Sequence, residues 1–141
     1  MKSLEWVLEN FSNLETCLDD RLGKRLCQFL TDEQMSKIGY SYENKEERPE
    51  IVPWTEENVL KQLKKDLAFG IRKATGHRGI SASLMWEVCL GWCTVLENGL
   101  DKKYKDDYGY YGDKLFKAID EKHNFGLVSK DTFDKDFYEE W

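Results

Sequence analysis

The stretch SASLMWEVCLGWCTVLEN, residues 81–98, decides how the rest of the chain is read. Eleven of these 18 residues are apolar, and the only charges are Glu87 and Glu97. At 3.6 residues per turn the apolar positions cover most sides of a helix, and nothing alternates as a half-buried strand would. A helix this apolar on most sides is normally the central one of a bundle. Ser81 or Ser83 offers an N-cap, and Asn98-Gly99 a C-terminal stop. Ser83, Glu87, Thr94 and Asn98 share one polar strip, with Gly91 in its middle. That strip reads either as a pocket wall, with Glu87 binding a polar ligand group or orienting Arg78, or as the face that meets water.

Upstream, Thr55-Glu56-Glu57 sets a cap and two acids at a helix start, where the helix dipole favours negative charge. Val59, Leu60, Leu63, Leu67, Ile71 and Ala74 then line one side, with Lys61, Lys64 and Lys65 opposite. Downstream, a loop from Asp101 to Gly112 carries Tyr104, Tyr108, Tyr110 and Tyr111. Leu115, Phe116 and Ile119 mark a helix ending near Asn124. Ser129 caps a last helix with Phe133, Phe137 and Trp141 at four-residue spacing. Toward the N-terminus, apolar residues recur at helical spacing from Leu4 to Leu30, with breaks expected at Gly23 or Ser12-Asn13. Thr31 and Gln34 have capping-box spacing and open a short helix ending near Gly39. The expected fold is all-α, a compact helical bundle of five to seven helices. A charged, proline-bearing connector from Tyr40 to Pro53 divides a 1–50 N-terminal helical segment from a 51–141 bundle, within one compact domain.

Composition narrows the function. The 141-residue chain carries a net charge of −6, with 34% charged and 13% aromatic residues. A chain of this size hides roughly 70% of its extended surface, enough for one core. Net negative charge argues against gripping duplex DNA, an affinity that comes mostly from cations neutralising phosphates. Residues 1–6 lack the apolar stretch of a signal peptide, and the window from Leu84 to Leu96 is short for a bilayer, so the expected compartment is the cytoplasm. Cys17, Cys27, Cys89 and Cys93 form no disulfide framework. Cys89 and Cys93 share a helical face without a third ligand, so they read as core packing, and no metal or cofactor is expected. His77 and His123 sit in no nucleophile motif, and catalysis is not expected.

The candidate site is the segment from Ile71 to Ser83. Against the chain's acidity it holds three fixed cations, a histidine, two glycines and three hydroxyls in 13 residues, with no acid. It also leads into a helix N-terminus, where free N–H groups and the dipole attract anions. Arg72, Lys73 and Arg78 would neutralise phosphate, His77, Ser81 and Ser83 would add donors, and Tyr108, Tyr110 or Tyr111 would stack on a base. The competing reading is an ordinary turn whose glycines supply positive φ and whose cations pair with surface acids.

The run KATGHRGISAS (Lys73 to Ser83), followed by a Trp-rich helix and then Tyr108-Gly109-Tyr110-Tyr111-Gly112, resembles small bacteriophage and prophage proteins. The likeness spans roughly residues 55–126 and brings no catalytic residue with it. It implies an accessory protein of the host bacterial cytoplasm that acts by binding, blunting host defence by sequestering a signal such as a nucleotide. The alternative is an acidic inhibitor of a host protein, suggested by the acids of Glu43 to Glu50 and Asp131 to Glu140. A third class is a structural or morphogenesis component, which would form a homo-oligomer.

Overall fold

The apolar run at the centre of the sequence is one helix, packed against a neighbour of similar length. The computed structural model describes residues 1–11, 21–41, 48–129 and 131–133. Among them lie α1 (Leu4–Glu9), α2 (Arg21–Leu26), α3 (Asp32–Lys37), α4 (Glu56–Thr75), α5 (Gly79–Leu96), α6 (Leu100–Tyr104) and α7 (Asp113–His123), with a 3₁₀ turn at Cys27–Phe29. No strand occurs among the described residues. The fold is an all-α helical bundle.

Local chemistry sets three of the helix starts among the described residues. The Ser3 hydroxyl accepts from the Trp6 N–H, and the Thr55 hydroxyl from the Asn58 N–H. At α3 the expected capping box is complete: Gln34 N–H donates to the Thr31 hydroxyl at 3.2 Å, and Thr31 N–H to the Gln34 side chain at 2.9 Å. Each bond satisfies an N–H that the first helical turn leaves without an intrahelical partner.

α4 and α5 form an antiparallel hairpin joined by three residues, 76–78. Its core face is the stripe read from sequence: Val59, Leu63, Leu67, Ile71 and Ala74 are buried, while Lys61, Lys64 and Lys65 are exposed. α5 contributes Ala82, Met85, Val88, Cys89, Trp92, Cys93, Val95 and Leu96 to the core. By length and composition α5 could cross a membrane, and half of it is buried inside this bundle. α7 closes the third side with Leu115, Phe116 and Ile119. Val7, Leu22, Leu26, Leu30 and Met35 belong to the same core. Backbone bonds from Lys2 N–H to Val95 O (2.7 Å) and Val52 N–H to Gln28 O (2.9 Å) tie the first fifty residues to the rest.

Several boundaries differ from expectation. α5 begins at Gly79, two residues before Ser81, because α4 hands over to it through a tight turn that leaves Arg78 as N-cap. It ends at Leu96, where Glu97 takes the left-handed conformation (φ 57°), ahead of Asn98-Gly99. The Asp101–Gly112 segment is not all loop: the Asn98 carboxamide accepts from Leu100 N–H at 3.0 Å and starts α6. Gly23 does not break its helix but lies within α2, where a Cβ would stand 2.5 Å from the Tyr40 ring. Gly91 is not part of a wet strip; it is buried, with the Leu22 side chain where its Cβ would be. Ser129 and Thr132 close a turn, and Phe133 is buried with the Lys117 ammonium over its ring. The expected Ser12-Asn13 break, Cys17, Phe137, Trp141 and most of both acidic runs lie outside the described residues.

Candidate functional site

The elbow between α4 and α5 is built from backbone bonds that fold back on the last turn of α4. Gly76 N–H donates to Arg72 O at 2.8 Å, His77 N–H to Ala74 O at 3.2 Å, and Arg78 N–H to Lys73 O at 2.9 Å. The left-handed residue of this turn is His77 (φ 58°), not a glycine. Gly79 serves a different purpose from the positive φ expected of it. A Cβ there would lie 2.6 Å from Cε1 of Tyr111, so only glycine lets the tyrosine ring close over the start of α5.

The tyrosine segment therefore packs on the elbow. The Tyr108 hydroxyl donates to Gly79 O at 3.4 Å, and its ring meets Trp86 edge-on at 5.3 Å. Burial above all, with Tyr111 nearby, pushes the Tyr108 phenol up to about 12, against the opposing effect of the Ser83 hydroxyl. Tyr111 contacts His77 edge-on at 6.4 Å and Tyr110 at 4.5 Å. Tyr108 and Tyr111 thus form a wall with engaged rings, while Tyr110 is 45% exposed. The segment is held by Asp113, whose carboxylate accepts from Tyr110 N–H at 2.8 Å.

The elbow itself carries an open hollow of about 340 Å³ lined by His77, Arg78, Gly79, Ile80 and Ser81. Arg78 is exposed, and the adjacent Ile80 stands 83% in solvent. Among the described residues no ion pair joins Arg72, Lys73 or Arg78 to a carboxylate. Instead, Arg72 and Lys73 lie over the Phe69 ring, at 5.7 and 5.0 Å from its centroid. α1, α3 and α4 each have a side-chain cap, whereas α5, like α6 and α7, has none. The first residues of α5, Gly79, Ile80 and Ser81, line the hollow, and the N–H groups of a first turn have no intrahelical partner.

The structure brings His77, Arg78, Ser81, Ser83, Tyr108 and Tyr111 to one elbow, with Tyr110 at its edge and Arg72 and Lys73 on the preceding turn. Glu87 is not part of it. It sits half-buried nine residues beyond Arg78, about 13 Å along the axis, and no hydrogen bond or ion pair links the two.

One polar cluster has no counterpart in the sequence reading. Asp66 is 2% exposed on the core face of α4. Its carboxylate is paired with Arg25 and accepts from Trp92 Nε1 at 2.7 Å and Gln62 Nε2 at 3.0 Å. Gln28 extends the chain through Gln62 at 2.7 Å, and an Arg25 nitrogen lies 3.6 Å from Met85 Sδ. Burial raises the Asp66 carboxyl above its ordinary range despite Arg25. The signal was its register: position 66 is three residues after Leu63 and seven after Val59, on the buried stripe.

The three cysteines among the described residues, Cys27, Cys89 and Cys93, are buried. Burial raises Cys27, lifts Cys89 well above its ordinary value, and pushes Cys93 up to about 12. Among the described residues no three His, Cys, Asp or Glu side chains converge as a metal site. No protein-family model matches this chain, and no curated protein or solved structure matches it.

Proposed function

We propose that this is a non-catalytic binding protein whose α4–α5 elbow holds an anionic small molecule, a nucleotide being the class that suits it. The observation carrying this reading is the start of α5: an eighteen-residue helix with no side-chain cap, entered through an exposed arginine without a carboxylate partner. Phosphate oxygens would accept from the first N–H groups, where the dipole favours negative charge. Arg78 would add two parallel hydrogen bonds, and the Ser81 hydroxyl a further donor. Arg72 and Lys73 supply long-range attraction from the preceding turn. Tyr110 is the most exposed ring of the segment at 45%, and its outer face is the one that would meet a base. The likeness to small phage proteins fits such a site to sequestering a host signal in the bacterial cytoplasm.

Thermal unfolding against inorganic phosphate and mono-, di-, tri- and cyclic nucleotides tests the reading. At a hundred times Kd, a ligand specific to the folded state stabilises by about 2.7 kcal/mol. In a domain of this size that raises Tm by roughly 5–10 °C. Arg78→Ala should abolish most of the shift without altering the unliganded Tm. Absence of any shift across the panel removes the proposal.

A further inference from the structure

At the opposite end of α5 a second concave site is lined by charges of both signs, and we infer that it binds a small zwitterion of the α-amino-acid class. The cleft, about 330 Å³, lies between the start of the chain, the end of α5 and α6. Lys2, Trp6, Thr94, Glu97, Asp101 and Lys102 face into it. That volume sits at the lower end of small-molecule pockets, the size of a ligand of about ten heavy atoms.

The four charged side chains are not equivalent. Glu97 is already occupied, with Lys2 Nζ at 3.9 Å and the Met1 amino group at 3.7 Å. Asp101 and Lys102 are adjacent in α6 and have no ion-pair partner among the described residues. The Asp101 carboxylate is aimed by Thr94, whose hydroxyl donates to its Oδ2 at 2.9 Å. Its remaining acceptor capacity suits an ammonium group. The Lys102 ammonium suits a carboxylate, with the Lys2 ammonium, paired with Glu97, adding positive charge nearby. Trp6 offers an apolar wall for a ligand side chain, with Lys2 Nζ 4.7 Å from its ring centroid.

The frame is fixed. Lys2 N–H donates to Val95 O at 2.7 Å, and Trp54 Nε1 donates to Lys2 O at 3.1 Å, so the backbone that carries Lys2 and leads to Trp6 is pinned on both sides. A purely anionic ligand would meet Asp101 and Glu97, and a purely cationic one Lys2 and Lys102. Only a molecule carrying both charges leaves neither sign opposed. This site is independent of the α4–α5 elbow.

Ligand-observed NMR and calorimetry with L-phenylalanine, L-leucine, N-acetyl-phenylalanine and phenylalaninamide test the inference. The last two present the carboxylate alone and the ammonium alone, as peptide termini would. The free amino acids should bind saturably with Kd about 0.1–1 mM, within what a ligand of this size achieves. Each single-charge analogue should bind at least about tenfold more weakly, since a hydrogen bond to a charged group contributes on that scale. Lys102→Met, at an exposed position without a partner, should weaken the amino acids by a similar factor with unchanged Tm. Asp101→Asn should do the same, and Arg78→Ala should have no effect. No saturable binding of any free amino acid overturns the inference. So does equal binding of a single-charge analogue, or binding indifferent to both Lys102→Met and Asp101→Asn.

Discussion

Asp66 shows what one residue can decide. A carboxylate inside a core is tolerated only when its charge and lone pairs are matched, and here Arg25, Trp92 and Gln62 supply the match. Removing one partner of such a pair leaves the other's charge uncompensated. Asp66→Ala should therefore cost about 3 kcal/mol by denaturant unfolding, the low end of the usual range because the Arg25 side chain keeps 20% exposure. The pH dependence has a definite sign. Because burial raises the folded-state pKa of Asp66 above the ordinary 3.8, the native state binds this proton more tightly than the unfolded chain does. Its contribution is greatest below 3.8 and declines as pH rises through the folded value. The stability of wild type relative to Asp66→Asn should fall across that window, and parallel profiles would contradict it. Gly79 makes the same point sterically. Gly79→Ala should cost about 1–3 kcal/mol as Tyr111 is forced off the start of α5, despite a better helix propensity. The displaced tyrosine should show in near-ultraviolet circular dichroism. The need for glycine at 79 could not be read locally, since the atom that excludes a Cβ lies 32 residues away in the chain.

At the scale of the element, the two ends of α5 behave differently from what periodicity suggests. Ser81 and Ser83 both look like caps, yet neither caps, because the turn at His77 delivers the chain into helix geometry two residues earlier. A start without a cap costs stability that a carboxylate at the N-cap would restore. Arg78→Asp should raise stability by about 1 kcal/mol by adding a cap and a favourable dipole interaction. The same substitution should abolish phosphate and nucleotide binding. Opposite changes in the two measurements would assign position 78 to ligand binding; loss of both would make it structural. The helix interiors were legible because amphipathic spacing in α4 and α7 reports directly which face is buried. α6 was not, because a single turn bearing Asp101, Lys102 and Lys103 has no apolar period and depends on the Asn98 side chain to start it.

For the whole molecule, burial silences chemistry that composition leaves open. Cys89 and Cys93 sit on one face of α5, but that face is inside the core. Thiol labelling at pH 8, read site by site by mass spectrometry, should leave Cys27, Cys89 and Cys93 unmodified in the folded protein, and labelling of these three should appear only as denaturant unfolds the chain. The Cys93 thiol, raised from 9.0 to about 12, contributes stability that is fully present below pH 9 and lost as pH rises toward 12. Unfolding midpoints measured across that range should decline more steeply for wild type than for Cys93→Ala. The elbow responds to ionic strength instead. Its cations are at the surface, so nucleotide affinity should weaken as salt rises from about 0.05 to 0.5 M, where the Debye length falls from roughly 14 to 4 Å.

The sequence by itself determined the helical class, the buried stripes of α4 and α7, the capping box at Thr31 and Gln34 and the cationic elbow, because each depends on residues within a few positions of one another. It also placed the elbow's cations where no carboxylate stands beside them in the chain. Only the tertiary structure decided that the tyrosine segment closes over Gly79, that Glu87 faces elsewhere, and that Asp66 and Arg25 meet 41 residues apart. The same holds for the charged cleft shared by Lys2, Asp101 and Lys102. Those contacts join segments far apart along the chain, and the free energy that selects them comes from packing the whole core at once, which no local pattern encodes.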